Sequence, residues 1–598
     1  DLISNEFFKF FPENWQLYLT TFFNKILDTE TVPSGLTKSV VTMLYKKGNK
    51  FLPENYRPIA LLNSVLKIYT QIILERLIIW ADERDIIPEV QNGFRRGRSC
   101  LDNIFLLNSI AQLKVGYRNS DLFVIFVDYR RAFDSINHNL LWHKLNNLKV
   151  SSKIIRILKS LYENATMKIK NNGLFSEEIA LTKGVLQGEV LSGFLFSLYI
   201  NDIENYFRTQ GVSGIQLDTT HDILLSLYAD DKVIFADSYT DAKRKLKILA
   251  DYARENYLEI NISKTKILQF HKGRAKKVNK FHYLGAELEV VPSYNYLGIP
   301  FSDSCLFYKA SKYAETKTAS AVGAVIDICR KSKIRSWGSR SRLNDSIALS
   351  TLFYGVEIWG LRYLCVIEKS NLNFYKRLLN LNRNIPAWMI RMEFNVTHST
   401  FKVIKLVLNW IVKILKMGNN RLTKLCYFVL REKHLRQQNI KYNWFSQLYR
   451  ILESCNKSSI LSITEPSKFK KEINIVLKSL KEYLHSNDKE LLQRAKYNSI
   501  YNKIYDPQYS LQPYCNLDIS FNTIKLLAQL RLSGKYQIKI TLRNIVYIIK
   551  PQEICTICNL NRQEDLFHLI AICPIYSPIR NHYIPYINNM STEQFPEI

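Results

Sequence analysis

The tetrapeptide Tyr228-Ala229-Asp230-Asp231 lies between two apolar runs, residues 223–227 and 233–236. Such flanks read as a β-hairpin with its tip at the acids. A third acid, Asp128, caps another apolar strand-like run upstream, residues 122–127. Most Asp-Asp pairs are solvated turn residues. The strand-type flanks and the third acid argue here for a sheet that carries negative charge to one point.

That arrangement suits transfer of a nucleotide. A 3′-hydroxyl attacks the α-phosphorus of an incoming nucleotide, and two divalent ions roughly 3.5–4 Å apart clamp the attacking and leaving oxygens. Magnesium prefers hard oxygen ligands and keeps some of its waters, so two or three carboxylates plus substrate phosphates suffice. Strand ends hold ligands more rigidly than loops do. Without metal, Asp128, Asp230 and Asp231 repel one another and raise the apparent pKa of the group.

Further segments follow in order along the chain. Lys46-Lys47-Gly48 precedes Asn55-Tyr56-Arg57-Pro58-Ile59. Gln91-Asn92-Gly93-Phe94-Arg95-Arg96-Gly97-Arg98-Ser99 alternates glycine and arginine around an aromatic, a composition suited to close contact with a sugar-phosphate backbone. Asp128 opens Asp128-Tyr129-Arg130-Arg131-Ala132-Phe133-Asp134. Gly184-Val185-Leu186-Gln187-Gly188-Glu189 leads into Leu191-Ser192-Gly193-Phe194. Residues 241–257 show a helical period and precede Ser263-Lys264-Thr265-Lys266.

With the acidic hairpin, this set resembles the reverse transcriptase of non-LTR (LINE-type) retrotransposons, of the kind with a C-terminal zinc knuckle. The likeness runs from about Pro33 to about Arg580 and is weak between roughly 400 and 520. It implies an α+β right-hand polymerase of fingers, palm and thumb, with a helical C-terminal extension and a small zinc knuckle. By this resemblance Arg57 holds the nucleotide triphosphate with help from Lys46 or Lys47, and an Arg fork fits phosphate oxygens well. Alone, the two lysines read equally as a solvated basic turn. Gly93, Phe94, Arg95, Gly97 and Arg98 are implied to touch the template strand, the plainer reading being a basic surface loop. Asp128, Asp230 and Asp231 are the implied ligands of two catalytic magnesium ions, with manganese as the alternative metal.

Phe133 matches the aromatic that closes over the sugar and leaves no room for a 2′-hydroxyl; without that match it reads as core. Gln187 and Gly188 approach the templating base in the family, Lys264 is the candidate proton donor to pyrophosphate, and Tyr296-Leu297-Gly298 looks like the primer-grip hairpin. For Lys264 a salt-bridged or solvated lysine is the commoner case. Two residues depart from the pattern. Glu189 stands where a smaller residue is usual. Gly193 stands where Pro is usual and would favour a helix start. Both departures suggest lowered activity.

Cys555 and Cys558, followed by His568 and Cys573, give the spacing Cys-x2-Cys-x9-His-x4-Cys. Three thiolates and one imidazole close a tetrahedral set suited to one structural zinc, with no position left for catalysis. Buried cysteines at this spacing by chance are the alternative. The other seven cysteines (Cys100, Cys305, Cys329, Cys365, Cys426, Cys455 and Cys515) show no such spacing, and their pattern suggests a reducing compartment.

Lysine and arginine number 83 against 53 acids, a net charge of +30. The excess suits binding to phosphate backbones, although a coding sequence rich in A and T contributes as well. The expected partners are template RNA, primer or target DNA, and deoxynucleoside triphosphates. No apolar run is long and uncharged enough to span a bilayer, and no signal peptide opens the chain. The resemblance implies an intracellular protein, in a cytoplasmic ribonucleoprotein and in the nucleus. It also implies a longer parent protein, since the chain opens at Asp1 and relatives commonly carry an endonuclease upstream.

The organisation expected is fingers and palm over 1–305, a helical thumb over 306–400, a helical connector over 401–540 and the zinc-knuckle region over 541–598. No acidic pattern in the connector argues for an RNase H domain. Two other readings accompany the polymerase: a catalytically inactive nucleic-acid-binding remnant of such an element, and a telomerase-like or intron-encoded relative. The knuckle argues against the latter.

Overall fold

A computed structural model describes residues 5–115, 121–171, 173–272, 280–438, 441–508, 511–542 and 545–584. The chain divides into two compact units. The first comprises residues 1–306 together with 418–443, and the second comprises 307–417 and 444–598. The segment 418–443, inside the expected connector, thus belongs with the first unit. The end of the expected knuckle region, residues 585–598, lies outside the described residues.

In the first unit, two sheets carry the functional segments. One begins with β1 (Lys38–Tyr45), which pairs antiparallel with β2 (Tyr56–Leu62). The other contains β3 (Leu122–Val127), and every residue of β3 is buried. A strand apolar on both faces needs cover on both. Parallel to β1 runs β4 (Thr166–Asn171). The acidic hairpin consists of β5 (Leu225–Tyr228) and β6 (Asp231–Ala236). The second sheet is completed by β7 (Lys266–Phe270) and is antiparallel throughout, in the order β7-β3-β6-β5.

Helices fill in around these sheets. Helix α1 (Ser64–Glu83) starts at Asn63, whose side chain accepts from the Val65 amide and so satisfies an otherwise free donor. Helix α2 (Cys100–Val115) is buried along most of its length and contacts β3 and β5. Helix α3 (Ser192–Tyr199) is wholly buried. Helix α4 (Tyr239–Glu255) packs on β3 and β6, with Ser238 capping its first turn through the Asp241 amide. Helix Leu422–Leu435 lies along α2. Arg421, just before it, pairs with Asp102 at 2.9 Å and with Glu89 at 2.8 Å. A short hairpin of β8 (Ser293–Tyr296) and β9 (Ile299–Ser302) ends the unit's N-terminal portion.

The second unit is mainly helical. Helix Tyr308–Lys331 packs on Leu364–Leu378, which packs on Ser399–Lys416, which in turn packs on Pro466–Gln493. Trp337, Tyr375 and Phe394 bring their rings together in its core. Arg391 is buried there between Glu368 and Asp488. Among the described residues, no helix is long and apolar enough to cross a membrane.

Candidate active site

Register brings the three acids together. Lys232 of β6 faces Val127 of β3, so the next step of the antiparallel ladder sets Asp231 against Asp128. Tyr228 pairs with Asp231, leaving Ala229 and Asp230 as a two-residue turn. Ala229 has φ 57°, a left-handed conformation that a non-glycine residue adopts only at some cost.

A side chain from far upstream stabilises that turn. Gln91 Oε1 accepts from the Ala229 amide at 3.1 Å and from the Gly93 amide at 2.8 Å. Gln91 Nε2 donates to the Ala229 carbonyl at 3.5 Å. The Asn92 amide and Asn103 Nδ2 both donate to the Leu227 carbonyl. A Cβ added at Gly93 would run into the Ala229 backbone, so only glycine permits this approach. Gln91 opens the glycine- and arginine-rich segment 91–99, and nothing local in the sequence marks it as the clamp of this turn.

Around Asp128 the backbone is pinned by the segment after α4. The Asp128 amide donates to Thr265 Oγ1 at 3.2 Å, and the Asp128 carbonyl accepts from the Asn261 amide at 2.8 Å. Neither Thr265 nor Asn261 is marked for this role by any local pattern in the sequence. Lys264 Nζ stands 3.5 Å from Asp128 Oδ2.

The electrostatics follow from this crowding. Asp230 is raised above the usual carboxylate range by burial and by Asp128, with Arg57 and Lys46 pulling it back. Asp231, though open to solvent on one side, is pushed up to about 6 by desolvation and then by Asp230 and Asp128. Lys46 is lowered by desolvation and by Arg57 and Lys264, while Asp128 and Asp230 oppose the shift. Three cations, Lys46, Arg57 and Lys264, therefore share a field with the acids. Lys47 lies exposed in the same loop as Lys46.

Phe133, Gln187 and Gly188 form a second cluster. The Val185 amide donates to the Phe133 carbonyl, and the Gly184 amide to the Ile136 carbonyl, each at 2.8 Å. Gln187 Nε2 donates to Asp134 Oδ1 at 3.1 Å, and the Gln187 carbonyl accepts from the Ala60 amide at 2.8 Å. A Cβ on Gly188 would lie 2.5 Å from the Ala60 carbonyl oxygen. The loop thus rests on β2, three residues past Arg57.

Several residues expected to meet a strand turn inward instead. Arg95 donates to the carbonyls of Ile87 and Pro88, at 3.1 and 3.2 Å. Arg98 donates to the Glu89 carbonyl, Asn92 Oδ1 and Glu89 Oε2. Tyr296 is buried, and its hydroxyl accepts from Asn103 Nδ2 at 3.2 Å. Phe94, Arg96 and Gly97 remain exposed, as does Gly298, while Leu297 is half-buried at the turn of the β8–β9 hairpin.

In the second unit, the ligand atoms of Cys555, Cys558, His568 and Cys573 all lie within 4.8 Å of one another. Backbone bonds shape the loop: the Cys555 amide donates to the Arg562 carbonyl at 2.8 Å, and the Cys573 amide to the His568 carbonyl at 2.6 Å. His568 is oriented by its own amide, which donates to Asp565 Oδ1 at 2.7 Å.

Residues 44–288 match the reverse transcriptase (RNA-dependent DNA polymerase) family. The RNA-directed DNA polymerase from mobile element jockey of Drosophila melanogaster is 25% identical over 380 residues, covering 62% of this chain and 40% of that protein. The probable RNA-directed DNA polymerase from transposon BS of the same species is 26% identical over 391 residues, 64% of this chain and 41% of that protein. The chain thus spans about two fifths of the length of these relatives. Among solved structures, apo telomerase from Candida tropicalis is 14% identical with a TM-score of 0.34, covering 73% of this chain and 74% of that one. Residues 44–288 of this chain thus carry a reverse transcriptase domain, and the relatives it matches are polymerases of mobile elements.

Proposed function

We propose that this chain is the RNA-directed DNA polymerase of a non-LTR retrotransposon, extending a DNA primer on an RNA template with deoxynucleoside triphosphates. The observation that carries this reading is the convergence of Asp128, Asp230 and Asp231 at one sheet end, opposite Lys46, Arg57 and Lys264. The acids fit magnesium. They are hard oxygen donors, and Asp230 and Asp231 are raised first by desolvation and then by the neighbouring acids, a cost that a bound cation would relieve. Two bound ions would lower the barrier by activating the primer hydroxyl and neutralising the leaving pyrophosphate.

The chain's own residues do the rest. Arg57 and Lys46 bind the triphosphate, and Lys264 delivers a proton to the departing pyrophosphate from beside Asp128. Lys47 adds charge to the approach. Phe133 closes against the sugar, while Gln187 and Gly188 shape the place of the templating base. Phe94, Gly97 and the Leu297-Gly298 turn meet the strands, and Gly93, Arg95, Arg98 and Tyr296 hold those contacts in place from within. The Cys555–Cys558–His568–Cys573 set fits structural zinc, because its soft donors converge without spare ligands. The domain names fingers and palm, thumb, connector and knuckle belong to this proposal too.

The alternative, a catalytically inactive remnant that still binds nucleic acid, is favoured by one observation. Glu189 places a buried carboxyl directly after Gln187 and Gly188 in the chain, bonded to the Leu191 amide. Primer extension on an RNA template, with Asp230→Asn beside it, separates the two. The active reading gives magnesium-dependent DNA product, reduced on the order of a thousandfold in the variant at unchanged melting temperature, since a neutral amide ligates hard cations weakly. No product from folded protein in magnesium or manganese leaves the remnant.

A further inference from the structure

Phe94 sits in a backbone conformation that a bulky residue seldom takes, with φ 56°. Its ring is about half exposed, yet one side of it is closely seated. The seat is Gly193, in the first turn of α3. A Cβ built on Gly193 would lie 2.5 Å from Phe94 Cε1 and 2.6 Å from Cδ1 and Cζ. Any larger residue there therefore displaces the ring.

The same helix supports a second aromatic. Phe196 is three residues beyond Gly193 and so on the same face of α3. Phe133 leans on Phe196 with centroids 5.0 Å apart, and Phe94 meets Phe133 edge-on at 6.4 Å and 87°. Phe133 is thus held between Phe196 and Phe94. Phe94 is in turn tied to the acidic turn through Gly93, which packs on Ala229. Edge-to-face rings of this kind fix each other's orientation.

We propose that Phe94 is a positioning residue for sugar discrimination. It props Phe133 against an incoming nucleotide, and Gly193 is the seat that lets it do so. This rests on the polymerase reading and on Phe133 as the residue facing the sugar. It also gives the unusual glycine a purpose: Gly193 weakens the start of α3 and makes room for a ring that Pro would exclude.

The test is a double-mutant cycle on the full chain: wild type, Phe94→Ala, Gly193→Ala and the double variant. Primer extension gives the ratio of kcat/KM for a deoxynucleotide over its ribonucleotide. Melting temperature is read in parallel. Phe94→Ala and Gly193→Ala should each lower the ratio by about 2- to 12-fold, the range of one aromatic pair, chiefly by lowering KM for the ribonucleotide. Phe94→Tyr keeps the ring and should keep the ratio. Without Phe94, Gly193→Ala should leave the ratio where it is and raise the melting temperature, because alanine is the better helix former. With Phe94 present it should lower the melting temperature.

An unchanged ratio in Phe94→Ala, for a protein that extends primers, overturns the proposal. So does an equal effect of Gly193→Ala with and without Phe94. If wild type makes no product, the polymerase reading fails on its own. The sign change in melting temperature still decides whether Gly193 is the seat, and its absence refutes that.

Discussion

Glu189 shows how much a side chain's surroundings add to its type. As an acid in place of a small residue it reads as a defect. In the structure it is buried, and its Oε2 accepts from the Leu191 amide at 2.8 Å and lies 3.4 Å from Ser192 Oγ, at the start of α3. Burial pushes the carboxyl up to about 7 from an ordinary 4.5, against the pull of bonds from Thr70, Leu191 and Ser192. The folded state therefore keeps its proton longer than the unfolded state does. Stability is greatest below the unfolded value and declines as pH rises from about 4.5 to about 7, by about 3 kcal/mol at most. Glu189→Gln should remove that decline while keeping the amide bond. Denaturant melts of both proteins at pH 5 and pH 8 check this, and parallel losses would show that the acid is not the source. The three clustered acids, by contrast, were legible in the sequence, because alternation of apolar runs and turns is local information. The Gln91 clamp was not, since its partner Ala229 lies 138 residues away.

The segment from Gln91 to Ser99 carries the lesson to the scale of an element. Its composition suits contact with a sugar-phosphate backbone, or a basic surface loop. Composition could not say which guanidinium groups face out. Arg98 is spent on Glu89 and Asn92, with its side chain only 7% exposed, whereas Arg96 is 69% exposed and pairs with Glu75. The two should separate by experiment. Arg98→Ala should lower the melting temperature, by about 1–3 kcal/mol of stability, because it leaves buried acceptors unpaired. Arg96→Ala should leave stability within about 0.5 kcal/mol and reduce the salt slope of RNA binding by about one. Fluorescence anisotropy across a salt series, with thermal melts, reads both. If Arg98→Ala changes only the salt slope, the inward geometry is wrong. The same limit applied to β8–β9: the hairpin was legible, but not that Tyr296 fills the core beside Phe126.

Across the whole molecule, the cluster of Cys555, Cys558, His568 and Cys573 was the most legible feature outside the acids, because such a set is written as residue types at short spacing. One zinc per chain is expected by elemental analysis, and Cys558→Ser should lower that content. It should also expose residues 545–584 to limited proteolysis while primer extension on a short hybrid survives. Loss of extension would make the zinc region part of the polymerase proper. Least legible was the membership of residues 418–443 in the first unit. Arg421 finds Asp102 across 319 positions, and no local pattern announces such a pairing. This return of the chain has a consequence for synthesis. Asp102 is fully buried and Arg421 is the cation beside it. A ribosome that has finished the strands of the first unit by residue 306 has still to deliver the helix that covers α2. The nascent chain must keep that surface open until residue 443 has emerged, about 7 to 27 seconds later at ordinary rates of elongation. Expression of residues 1–306 alone would make that wait permanent.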